Sequence, residues 1–176
     1  MGFTHPIQTR HRERMLAASR WQGLARGRIP RCAFTSIVAV CSVRWTITQP
    51  RIRVETEAVF SLLASVQSGE ISMLGAEALE YEVGCIPDGA RQAEVMASLS
   101  LASERLEVSA AVESLALSFE RQGVAVMDAI HLALASAARA DFFCTCDDKL
   151  LRKAQAVIGL ECRAISLLGL VPEVTK

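Results

Sequence analysis

The hydrophobic pattern is irregular up to about residue 47 and becomes regular from Val54 onward. Val59, Leu62, Leu63 and Val66 recur at the spacing of one buried helix face, and Gly69 supplies a stop. The run Ile71 to Leu74 predicts a short strand, and Glu77 to Val83 a helix ended near Gly84 and Pro87. A helix is predicted over 92–106 with Val95, Met96, Leu99 and Leu106 inward. Val112, Leu115, Ala116 and Phe119 mark another, stopped at Gly123. The densest pattern runs from Val124 to Ala154. There Asp128 opens a helix with Ile130, Ala133, Leu134 and Ala137 on one face. Phe142-Phe143-Cys144-Thr145 suits a buried strand, and Lys149-Leu150-Leu151 starts the next helix. Cys162 to Ser166 predicts a last strand. Strands separated by helices predict an α/β fold, a parallel sheet with helices on both faces.

Upstream the signal is weak. Seven arginines from Arg10 to Arg31 are scattered without amphipathic order, and only Ala33 to Val43 has the β-branched content of a strand. The net charge of zero hides an asymmetry: residues 1–53 hold ten Arg and a single acid, Glu13, whereas 54–176 hold nine basic and eighteen acidic residues. Such a split marks a nucleic-acid-binding arm on an acidic domain, or two parts that do not belong together. With 176 residues, 51% of them hydrophobic, one domain can bury a core without disulfides. The longest early apolar run, Ile37 to Val43, is too short to span a bilayer and too far in for a signal peptide, so a cytoplasmic protein with no membrane partner is expected. The six cysteines form no C-x-x-C pair, which suits reduced thiols, and Cys144 and Cys146 read as small core residues.

Two acids stand where chemistry is expected. In an open α/β sheet ligands bind outside the carboxyl ends of the strands. Asp147 follows such a strand, and Asp128 reaches the same crevice from a neighbouring helix. Each also has an ordinary structural role. Asp128 suits a helix terminus, where the dipole favours an acid, and Asp147 suits an N-cap. Asp148 reads as the exposed neighbour.

Asp128-Ala129-Ile130-His131-Leu132-Ala133 and Thr145-Cys146-Asp147, with Ala140-Asp141-Phe142-Phe143 leading the strand, resemble the late motifs of the PIN-domain family. This is the fold of the ribonuclease toxins in bacterial toxin–antitoxin pairs. The resemblance runs from about residue 48 to 170, through PRIRVETEAV (50–59) and EALEYEV (77–83). It implies a PIN-like sheet and a metal-dependent ribonuclease of toxin type. RNA would be the substrate, and a small antitoxin and a second copy of the chain the partners. It further implies that Glu82, Asp128 and Asp147 are catalytic and hold Mg²⁺ or Mn²⁺. Glu80, two residues from Glu82, is the alternative on that helix. Such ions prefer oxygen ligands, lower the pKa of bound water and stabilise charge on phosphate, and clustered acids repel one another without them. Thr145 is placed to hydrogen-bond near the metal or phosphate, or to serve as a β-branched strand residue. His131, one turn after Asp128, reads as a packed or partly exposed side chain.

The family's first acid ends its first strand, a position falling near residues 33–40 here. That stretch is Ala-Phe-Thr-Ser-Ile-Val-Ala-Val, and there is no acid between Glu13 and Glu55. Three explanations compete: loss of nuclease activity, replacement by another residue, or translation of residues 1–47 out of frame. The abrupt end of the resemblance and the Arg-rich, acid-poor upstream sequence favour the last. On that reading the domain is 48–176, behind an atypical segment 1–47, and its core lacks a central strand.

Overall fold

The computed structural model describes residues 28–34 and 50–174. Five strands form one all-parallel sheet: β1 (Arg31–Phe34), β2 (Ser72–Ala76), β3 (Glu104–Leu106), β4 (Phe142–Thr145) and β5 (Arg163–Ser166), in the order β3-β2-β1-β4-β5. Among the described residues seven helices flank it: α1 (Pro50–Gln67), α2 (Glu77–Gly84), α3 (Gly89–Leu99), α4 (Ala110–Glu120), α5 (Val126–Ala137), α6 (Asp148–Ala156) and α7 (Leu167–Val174). This is the expected α/β class with helices on both faces.

Alternation along the strands divides the core between the two faces. Cys32 and Phe34 of β1, Met73 of β2, and Phe142 and Cys144 of β4 pack with α1, α3 and α7. Leu74, Phe143 and Ala164 turn the other way, onto α4, α5 and α6. All four β4 residues are buried, as expected of an apolar run covered on both sides. Cys144 is thus a core residue, while Cys146 is only partly buried against it.

The centre of the sheet corrects the reading of the upstream segment. A central strand is present, and it comes from residues 31–34, so the sheet draws on both sides of the boundary read at 47/48. Cys32 is 0% and Phe34 5% exposed, so this strand contributes to the core where a missing one was expected. Asp141, at the N-terminal end of β4, fastens the strand. Its backbone N–H donates to Arg31 O at 2.8 Å, and its Oδ2 accepts from Arg31 N–H at 2.8 Å. The Arg28 guanidinium donates to the same carboxylate, while the Arg31 guanidinium reaches Ala138 O and Glu104. Of the strand expected over 33–43, residues 35–43 lie outside the described residues.

Other differences have local causes. The helix expected over 92–106 ends at Leu99, because Ser103 N–H donates to Met73 O at 2.9 Å and draws the chain to the sheet edge as β3. Leu106 is buried from a strand rather than from a helix, and Met96 is exposed. Strand β2 starts at Ser72 and extends to Ala76. Helix α5 begins two residues before Asp128 and buries Ala129 and His131 to Ser136, whereas Ala137 is exposed. It packs between α4 and the sheet, which widens its buried face beyond one stripe. Among the described residues no helix is long and apolar enough to cross a membrane.

Candidate functional site

Three separate connections bring the acids to one end of the sheet. Asp147 directly follows β4. Helix α2 starts immediately after β2 and carries Glu82. Helix α5 leads into β4 from the opposite direction, so its first turn, with Asp128, lies at the carboxyl end of the strands.

Asp147 is the N-cap of α6. Its Oδ1 accepts from the backbone N–H groups of Lys149 at 2.6 Å and Leu150 at 3.0 Å. Its own N–H donates to Thr145 Oγ1 at 3.1 Å, and Thr145 is buried. Thr145 therefore fixes the turn that aims Asp147, and Oδ2 stands outside the capping bonds. The capping role read from sequence is thus present, and it orients the carboxylate for any second task.

Glu82 and Glu80 go different ways. Glu82 Oε2 lies 2.8 Å from His131 Nε2, and the imidazole is almost wholly buried. Glu80 turns to the sheet edge, where Arg105 holds it with bonds of 2.8–3.0 Å and lowers its pKa. Of the two glutamates, Glu82 is the one directed to the α5 side. The involvement of His131 was not foreseen. Its position one turn after Asp128 was visible in the sequence, but its pairing depends on the packing of α2 against α5.

Asp128 is half-buried, and its carboxyl pKa is raised above the ordinary value of 3.8. Burial is the main cause, followed by the charge of Asp147; Glu82 adds to it, while His131 and Lys153 oppose. Two of the acids named from sequence, Asp147 and Glu82, therefore act electrostatically on the third. They are not drawn together as a cage: among the described residues no three His, Cys, Asp or Glu side chains are grouped to hold a metal ion. Mg²⁺ does not require one, because it commonly uses one or two carboxylates and completes its shell with water and substrate phosphates. Asp128 and Asp147 both offer carboxylate oxygens, the donor type that Mg²⁺ prefers. Strand β1, central between β2 and β4, adds no acid in Arg31–Phe34.

No family profile and no curated protein matches the sequence. Among solved structures the chain is similar to one in the crystal structure of VapBC2 from Rickettsia felis bound to a DNA fragment from their promoter. The two share 12% identity with a TM-score of 0.49, over 77% of this chain and 98% of that one. At that distance the likeness assigns no role to any residue here.

Proposed function

We propose that the chain is a PIN-like, metal-dependent ribonuclease domain in which Asp128, Asp147 and Glu82 receive one Mg²⁺ or Mn²⁺ together with an RNA phosphate. The observation that carries this reading is the environment of Asp128. Burial and two acids from separate elements raise its pKa, an arrangement that a bound cation would relieve. The resemblance of residues 128–133 and 145–147 to the PIN motifs supports the choice of acids. The cation, when bound, supplies an acidified water and charge stabilisation at the phosphate. The chain's own groups prepare the place for it. Thr145 and the α6 N-terminus orient Asp147, and His131 holds Glu82. A small antitoxin, self-association and a cytoplasmic setting belong to the same proposal.

A second reading is favoured by one observation. Among the described residues the central strand carries no acid and no three-donor group is assembled. On that reading the domain binds RNA or a partner protein without cleaving. Incubating the full chain with RNA and Mg²⁺ separates the two. Cleavage abolished by EDTA, by Asp128→Asn and by Asp147→Asn supports the ribonuclease. RNA binding without cleavage, unchanged by both substitutions, supports the module.

A further inference from the structure

We propose that Arg51 is the phosphate-binding guanidinium of this site, held on Asp148 until RNA takes it. The proposal rests on the ribonuclease reading and adds the residue that would grip the nucleic-acid backbone. Arg51 lies in the first turn of α1, where the helix dipole disfavours a cation. Its position is offset by two acids. NH1 and NH2 form a fork on Asp148 at 2.7 and 2.8 Å, and Nε donates to Glu55 at 2.8 Å. Asp148 directly follows Asp147, so the guanidinium lies beside the acid crevice although it comes from a distant part of the chain. Asp148 forms none of the capping bonds at the α6 N-terminus, because Asp147 makes them.

The pair is built to exchange. The Arg51 and Asp148 side chains are 56% and 59% exposed, and ion pairs in water contribute only about 0–1 kcal/mol. The planar fork that fits a carboxylate also fits a phosphate. The surroundings favour such a visitor. Residues 54–176 carry nine basic side chains, and three of them, Lys149, Arg152 and Lys153, are exposed on the single helix α6. Arg152 and Lys153 are close enough to act on Asp148 and Asp128 respectively. An RNA strand crossing this rim would meet Arg51 and the α6 cations while its phosphate faces the acids.

The test measures binding of a short fluorescein-labelled single-stranded RNA by anisotropy, with Ca²⁺ in place of Mg²⁺ and across a range of salt, for wild type, Arg51→Ala and Asp148→Asn. Thermal melts run in parallel. If Arg51 grips phosphate, Arg51→Ala weakens binding and makes the slope of log K against log salt shallower by about 0.7, the value for one contact to a single strand. Asp148→Asn, which frees the fork, tightens binding by about two- to fivefold, the equivalent of releasing an exposed pair. A pair that only ties α1 to α6 predicts the same direction of change for both variants, or no change, with lowered melting temperatures. That result overturns the role of Arg51 and leaves the ribonuclease reading standing. Absence of RNA binding by wild type and Asp148→Asn alike overturns both.

Discussion

Asp128 is held in the protein against an electrostatic penalty. Its raised carboxyl pKa means that the folded state binds the proton more tightly than the unfolded chain does. Its contribution to stability is therefore greatest below the ordinary value of 3.8 and falls as pH rises through the raised value. At neutral pH the uncharged isostere removes that penalty. Asp128→Asn is expected to raise the melting temperature in EDTA, by a small amount because solvent screens this half-exposed group. A fall instead would assign Asp128 the ordinary helix-terminal role. Asp141 is the opposite case, an acid that the fold needs. It is 5% exposed and accepts from both Arg28 and the Arg31 backbone. Asp141→Ala leaves that N–H unpaired at the sheet and is expected to reduce stability by about 2–3 kcal/mol in urea unfolding. A loss under about 0.5 kcal/mol, typical of a surface change, would contradict the fastening of β1.

At the scale of elements, the same fastening makes β1 testable through its cysteine. Burial, and secondly the charge of Asp141, push the Cys32 thiol up to about 12. Cys144 and Cys162 are likewise buried with raised values, whereas Cys85 is exposed. Alkylation of the native protein, mapped by peptide mass spectrometry, is expected to modify Cys85 before Cys144 and Cys162 and to spare Cys32 until denaturant is added. Modification of Cys32 at the rate of Cys85 would remove β1 from the sheet. The sequence showed α5, β4 and α6 well, because helical spacing, an unbroken apolar run and an acid at the turn agree there. It showed β1 only in part: the strand read over 33–43 meets it at Ala33 and Phe34, and its four residues alternate between buried and half-buried positions inside an Arg-rich stretch. Strand β3 is only three residues long, and Leu106 continues the helical spacing of Val95 and Leu99, so the edge strand read as helix. Helix α7, LLGLVPEV, contains Gly169 and Pro172 and gave no helical signal, yet it buries Leu167 and Leu170 against the sheet.

Across the whole molecule the two ends of the sheet have different tasks. Arg28, Arg31 and Asp141 close the N-terminal end of β1 and β4. The acids Asp128 and Asp147 lie at the carboxyl end, where the chain order alone placed them, and Glu82 acts on Asp128 from α2. The sequence put Glu82 before Glu80 but did not show their partners, Arg105 in β3 for Glu80 and His131 in α5 for Glu82, both distant in sequence. Residue 28 enters the sheet at the end away from these acids, whereas Arg51 is paired with Asp148 and Lys153 of α6 acts on Asp128. The most direct measurement of whether the three acids form one functional site is Mn²⁺ binding to the full chain, followed by the loss of the free-ion signal in electron paramagnetic resonance. The expected result is saturable binding that is lost in Asp128→Asn and in Asp147→Asn and weakened in Glu82→Gln, while Glu80→Gln binds as wild type does. No binding by wild type, or binding that the Asp128 and Asp147 substitutions leave intact, would contradict a cation site at these acids.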